Sequence, residues 1–177
     1  MDNFEQLNRP QEIIVITTGG TIEKTYDELD GSLENRESII QKRVLDKLRL
    51  PYTRLKIFSL FAKDSLHMTD DDRYLLIQSI KSQLFQNLPI VIIHGTDTMD
   101  RSASLTQKKL ENLKVPVVFT GAMRPIGFED SDAIQNFTEA LLSVKFLKAG
   151  VFISFHNRIF PLPGVKKNKV RGTFEQI

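Results

Sequence analysis

Four short runs of consecutive apolar, mostly β-branched residues punctuate the chain: Ile13 to Ile16, Ile90 to Ile93, Val115 to Phe119 and Val151 to Ile153. Runs of this length without polar alternation predict strands covered on both faces. A weaker alternating run from Leu55 to Leu60 adds a fifth strand, with Leu55, Ile57 and, next in register, Ser59 on one side. Between the runs lie segments whose apolar residues recur every three or four positions, which predicts helices over Arg36 to Leu48, Asp70 to Phe85, Arg101 to Leu113 and Asp132 to Leu147. In the second helix Leu76, Ile77, Ile80 and Leu84 form the apolar stripe, and Thr69 followed by Asp70, Asp71 and Asp72 supplies an N-cap and an acidic first turn. In the fourth, Ser131 is the expected cap, and Ile134, Phe137, Leu141 and Leu142 are expected to face inward.

Strands alternating with helices of this length predict an α/β fold: a flavodoxin- or Rossmann-like three-layer sandwich, with a mostly parallel sheet and helices on both faces. The last stretch, Arg158 to Ile177, carries Pro161, Pro163, Gly164 and the basic residues Lys166, Lys167, Lys169 and Arg171, and it reads as loop or tail. No repeat, linker or shift in composition divides the chain, so residues 1–177 are expected to form one domain.

Composition narrows the function classes. The absence of Cys excludes a disulfide scaffold and a Cys-ligated metal site. With 24 Lys+Arg against 22 Asp+Glu, the near-balance argues against a dedicated nucleic-acid binder. Lys or Arg interrupts every apolar segment well short of the roughly 20 residues a membrane helix needs. The polar amino terminus, with Asp2 and Glu5, is unlike a secretory signal. These features predict a cytoplasmic protein without a membrane or nucleic-acid partner, and no cluster suggests a metal or cofactor.

In a parallel sheet, ligands bind beyond the carboxyl ends of the strands, so the loops after the strands hold the candidate chemistry. After the first strand comes Thr17-Thr18-Gly19-Gly20-Thr21, either a tight structural turn or a place where backbone amides approach a ligand. After Ile93 comes His94-Gly95-Thr96-Asp97-Thr98-Met99-Asp100. Its hydroxyl beside a carboxylate suits either nucleophile activation or a helix cap. After Phe119 comes Thr120-Gly121-Ala122-Met123-Arg124-Pro125, a small-residue turn. Three hydroxyl-and-glycine loops would gather on one sheet edge, which independent turns do not require. His94 and His156 each end an apolar strand and read as structural, and Met68, Met99 and Met123 as packing residues.

Together these loops resemble the signature loops of the bacterial-type L-asparaginases. The resemblance runs through Thr18-Gly19-Gly20-Thr21-Ile22, Asp64-Ser65-Leu66-His67-Met68-Thr69, His94 to Met99, Gly121-Ala122-Met123-Arg124-Pro125 and Ser131-Asp132, in the family's order. It implies a threonine amidohydrolase converting asparagine to aspartate and ammonia through an acyl-enzyme, with a small amino-acid substrate, no cofactor, and assembly into homodimers or higher homo-oligomers. Thr21 would be the nucleophile, and Tyr26 would be the tyrosine of a lid spanning Glu23 to Ser32. Thr96, Asp97 and a lysine would form a relay, with Asp97 also gripping the substrate's amino group. The context Val165-Lys166-Lys167-Asn168 puts Lys166 first for that lysine and Lys167 second, against the reading of a solvated basic tail. Ser65 would hold the substrate's carboxylate, and Gly20, Gly95 and Ala122 would line the pocket. A threonine hydroxyl is a weak nucleophile that needs such a proton network, and backbone N–H groups of the turn would hold the oxyanion.

The chain departs from the family at four points, of which Ala133 in place of the usual Gly after Ser131-Asp132 is a small backbone matter. The carboxy-terminal domain that helps complete a neighbouring subunit's site is expected to be absent. Leu66 stands where the family has a polar residue touching the carboxylate, and His67 where it has Asp. The competing expectations are a non-catalytic aspartate- or asparagine-binding module and a flavodoxin-like phosphate or flavin binder, the latter leaving His94 to Asp100 unexplained.

Overall fold

A computed structural model describes residues 10–20 and 47–177, together with the backbone of 24–26 and 33–35. β1 (Gln11–Gly19) contains the first apolar run, and β4 (Thr53–Lys63), β5 (Ile90–Ile93), β6 (Pro116–Thr120) and β7 (Gly150–Phe155) contain the others. Two three-residue strands, β2 (Lys24–Tyr26) and β3 (Leu33–Asn35), pair antiparallel. The helix expected from Arg36 falls mostly on residues 36–46, outside the described residues. The other three are present as α1 (Asp70–Gln83), α2 (Met99–Lys109) and α3 (Ala133–Ser143), each shorter at its carboxyl end than the periodicity implied.

The main sheet has the order β4-β1-β5-β6-β7-β8, and every pair is parallel except the last. Strand alternation divides the core into two layers. Ile14, Ile16, Ile90, Ile92, Val117 and Phe119 point to one face, where Leu76, Ile77 and Ile80 of α1 and Met99 and Ala103 of α2 cover them. Ile13, Val15, Val91, Ile93 and Val118 point to the other, under Ala133, Phe137, Ala140 and Leu141 of α3. Helices on both faces of a mostly parallel sheet are the expected α/β sandwich. In the edge strand β4, Leu55 and Ile57 join the α3 layer and Leu60 the other, while Ser59 is exposed.

Two helix ends illustrate how local chemistry sets boundaries. Thr69 Oγ1 accepts from Asp72 N at 3.3 Å while the Asp72 carboxylate accepts from Thr69 N at 2.8 Å, a reciprocal box that starts α1 where the sequence placed it. At α3 the N-cap is Asp132 rather than Ser131. The Ser131 hydroxyl instead donates to Arg124 O and accepts from Ala133 N, because the Asp132 carboxylate is drawn to the preceding loop. Leu142 is exposed, and Ala140 takes the inward position expected of it.

The carboxyl-terminal stretch is not loop. It forms β8 (Arg158–Pro161), antiparallel on β7, and then a hairpin of β9 (Val165–Asn168) and β10 (Thr173–Gln176). Val165 and Phe174 enter the core, and Phe174 meets Phe155 edge-on with ring centres 5.0 Å apart. Among the described residues no helix is long and apolar enough to cross a membrane.

Candidate active site

The strand order creates the site. From β1 the chain leaves toward β4 on one side, and from β5 it leaves toward β6 on the other, so the adjacent carboxyl ends of β1 and β5 form the switch point where such sheets bind ligands. The Thr18-Gly19-Gly20 and His94-to-Thr98 loops emerge there, flanked by the Ser65 turn that follows β4 and the Gly121 turn that follows β6.

These loops are in backbone contact, and the glycines make that possible. Gly20 has φ +89°, and a Cβ at this position would lie 2.5 Å from Gly95 Cα. A Cβ on Gly95 would lie 2.6 Å from Ser65 Oγ. Any larger residue at either position would therefore push the loops apart. Hydrogen bonds fix the same junction: Gly20 N donates to Lys63 O at 3.0 Å, and Thr18 Oγ1 donates to Ile93 O at 3.0 Å. A Cβ on Gly121 would strike His94 O, which brings the Gly121-Ala122 turn against the same loop.

At the centre, Lys167 reaches across from β9. Its Nζ donates to Thr96 Oγ1 and to Asp97 Oδ1, both at 2.8 Å. Thr96 is buried, while Asp97 and Lys167 are partly exposed, so the three groups line the site's edge rather than the core. The order of preference between the two lysines is thereby reversed: Lys166 is exposed on the opposite face of β9 and touches neither Thr96 nor Asp97. Nearby, Ser65 Oγ is buried beside Gly95 and finds no hydrogen-bond partner among the described residues. Leu66 is 66% exposed on the rim beside it, and its amide donates to the Asp64 carboxylate. Ala122 is buried in the α3 layer.

The structure thus brings Gly20, Ser65, Gly95, Thr96, Asp97 and Lys167 together, with Ala122 in the adjoining turn. Thr21 lies outside the described residues, and for Tyr26 only the backbone, within β2, is described. A concavity of about 580 Å³ lies elsewhere, on the outer surface between α1 and α2 beside Tyr74, Arg101 and Leu105.

Three supporting groups were given no site role from the sequence, although two of them, Thr98 and Asp132, lie in the matched loops. Arg73, on α1, is 2% exposed; its Nη1 donates to Met68 O at 2.8 Å and Thr69 O at 3.0 Å, and its Nη2 to Thr98 Oγ1 at 3.0 Å. Thr98 Oγ1 in turn donates to Ser65 O at 2.9 Å. The signal was present: Arg73 occupies the i, i+3, i+4, i+7 stripe with Leu76, Ile77 and Ile80, where a charge is out of place. The third group is Asp132, whose carboxylate accepts from Met123 N and Arg124 N at 3.0 Å and meets His156 Nε2 at 2.9 Å. Burial opposes its ionisation, but the Met123 and Arg124 amides and the His156 ring outweigh it and hold the carboxyl below the usual range.

His94 is structural, as its place at a strand end suggested. Burial pushes its imidazole down to about 4, so at neutral pH it is uncharged and Nδ1–H donates to Gly95 O at 2.8 Å. The ring therefore stiffens the Gly95 turn without contributing a charge to the site.

A glycine-lined, hydroxyl-bearing crevice with a lysine–carboxylate–threonine cluster lies at the switch point of an α/β sheet, the place where sheets of this class bind ligands. The comparisons with known proteins specify the family. The sequence profile described as "Asparaginase, N-terminal" matches residues 12–175, and the chain belongs to that family. It is 30% identical over 156 residues to L-asparaginase 1 of Escherichia coli strain K12, covering 85% of this chain and 45% of that protein. It is 40% identical over 113 residues to the 60 kDa lysophospholipase of Mus musculus, covering 63% of this chain and 20% of that protein. Among solved structures, the thermostable L-asparaginase from Thermococcus kodakarensis superposes with a TM-score of 0.84 at 26% identity, over 94% of this chain and 51% of that one. The chain thus spans less than half the length of these two curated relatives.

Proposed function

We propose that the chain carries the catalytic crevice of a threonine-dependent amidohydrolase that releases ammonia from L-asparagine or a related small amide. The observation that carries this reading is the placement of Lys167 Nζ at 2.8 Å from both Thr96 Oγ1 and Asp97 Oδ1. A lysine ammonium donates only, so Thr96 accepts from it and keeps its own hydroxyl proton for a group in the crevice. In this mechanism the Thr21 hydroxyl attacks the amide carbon. Backbone N–H groups of the glycine turns hold the oxyanion, the Thr21 hydroxyl proton passes to the amide nitrogen, and the C–N bond breaks to release ammonia as the acyl-enzyme ester forms. Thr96, with Asp97 and Lys167, then positions the water that releases aspartate. The amino group of the substrate pairs with Asp97, and its carboxylate takes the Ser65 hydroxyl.

The test is ammonia release from L-asparagine by the purified chain beside Thr21→Ala and Lys167→Met. Turnover in the parent that falls at least 10³-fold in both variants supports the reading, in line with the loss of a nucleophile or its proton network. Equal turnover in all three overturns it. A second reading, a binding module without turnover, is favoured only by the Ser65 hydroxyl, which has no partner among the described residues, and it predicts saturable heat with L-aspartate and no ammonia.

A further inference from the structure

Arg73 is a charged side chain in a place where an apolar one would pack without cost. Burying a guanidinium is unfavourable unless hydrogen bonds and counter-charge compensate it. Here the compensation is partial. Nη1 and Nη2 are bonded to two carbonyls and one hydroxyl, but Nε has no partner among the described residues. The nearest carboxylate, Asp70, stands 3.6 Å from Nη1, is 75% exposed, and is bound at 2.7 Å by Arg101. Asp72 is engaged by Lys63 at 2.7 Å. Asp70, Asp72 and Asp100 favour this charge and Arg101 opposes it, and among the described residues no carboxylate lies closer to it than the 3.6 Å of Asp70.

Its connections lead to the crevice. Arg73 fixes the carbonyls of Met68 and Thr69, at the far end of the turn that begins with Ser65, and fixes Thr98, in the loop that carries Thr96 and Asp97. Thr98 closes the circuit by donating to Ser65 O. One guanidinium thus ties the Ser65 turn to the Thr96–Asp97 loop, and it lies two hydrogen bonds, 3.0 and 2.9 Å, behind the Ser65 backbone. A buried cation in a poorly screened setting acts over such distances on an anion it does not touch.

We propose that Arg73 is a positioning and specificity-determining residue: it locks the Ser65 turn against the Thr96–Asp97 loop, and its buried charge makes the crevice prefer amides that carry a free carboxylate. The charge preference rests on the amidohydrolase reading above; the loop locking does not. The crevice would accordingly discriminate against amides whose carboxyl end is esterified, even though an ester retains the hydrogen-bond acceptors that Ser65 needs.

The experiment compares L-asparagine with L-asparagine α-methyl ester, following ammonia, in the parent chain, Arg73→Met and Arg73→Lys. Arg73→Met is expected to raise KM for asparagine about tenfold relative to KM for the ester, with kcat on either changed less than about threefold, and Arg73→Lys to restore at least half of the preference on a logarithmic scale. Equal KM changes for both substrates would overturn the charge role, since a merely structural loss does not distinguish them. Hydrogen exchange supplies a readout that needs no activity: in both Arg73→Met and Thr98→Val the amides of residues 66–68 and 95–98 should exchange faster together. Loosening of one loop without the other, or of neither, overturns the locking. If the parent releases no ammonia from either amide, the amidohydrolase reading fails and the charge preference fails with it, while the exchange result still decides the locking.

Discussion

Two clusters of three polar side chains sit at the same carboxyl edge of the sheet, and they differ in what else their atoms do. In one, Lys167 joins Thr96 and Asp97. In the other, His156 Nδ1 meets Thr173 Oγ1 at 3.0 Å and Nε2 meets Asp132 Oδ2 at 2.9 Å. By residue type alone the second, a hydroxyl, an imidazole and a carboxylate in line, is nearer to the arrangement that activates a nucleophile. Its surroundings assign it another task. Asp132 also accepts from two backbone amides and from Asn136 Nδ2, and the His156 amide donates to Asn136 Oδ1. His156 and Asn157, with φ +47° and +60°, form the two-residue turn between β7 and β8, so this cluster braces that turn, the Met123-Arg124 loop and β10 at once. Asp97, by contrast, makes no backbone bond among those described. Acceptor capacity committed to the backbone fits a brace, and capacity left open at a crevice fits the reacting role proposed for Asp97.

The sharpest way to break this contrast is to remove the hydroxyl from each threonine. Thr96→Val is nearly isosteric and should leave the fold intact while lowering kcat for ammonia release by about 10³-fold, the scale expected when a group in a proton network is lost. A variant within tenfold of the parent would show that the open cluster is no more reactive than the braced one.

Next in size is the carboxylate of the brace. Asp132→Asn retains the shape but loses the charge that the Met123 and Arg124 amides and His156 all meet, and should destabilise the protein by about 2 kcal/mol at neutral pH in urea titrations. The pH dependence fixes the sign. Because the folded carboxyl lies below its ordinary value of 3.8, its contribution is fully present above that pH and is lost as pH falls through the lower folded value. The gap between parent and variant should therefore narrow as pH falls below about pH 4. A gap that persists unchanged at pH 3 would mean that the charge is not what Asp132 contributes.

How much of this was legible beforehand depends on which physical signal each part carries. β1, β5, β6 and β7 are buried on both faces, which leaves an uninterrupted apolar run in the sequence, and the glycine-and-hydroxyl loops follow directly from their ends. β8, β9 and β10 have four residues each with only one or two apolar positions, and tertiary contacts at Val165, Phe160 and Phe174 decide them instead. The lysine order was obscured for the same reason. Once β9 is known to be a strand with Val165 inward, period-two alternation puts Lys167 on the inner face and Lys166 outside. His156-Asn157 lacks the Asn-Gly or Asp-Gly signature of its turn type, and side-chain bonds hold the left-handed backbone where a glycine would have done so.

The smallest effect is also the most discriminating. Thr173→Val makes the same change as Thr96→Val, on a threonine whose hydroxyl bonds an imidazole at nearly the same distance that Thr96 keeps from its lysine. If Thr173 only ties β10 to the turn before β8, losing one partly exposed hydrogen bond should cost about 1 kcal/mol of stability and leave kcat and KM within twofold. The imidazole retains Asp132 in that variant, so His156 stays in place and the Met123-Arg124 loop is not released. A loss of kcat approaching that of Thr96→Val would instead make the His156 cluster part of the reacting machinery, and the distinction drawn from committed and open acceptors would fall.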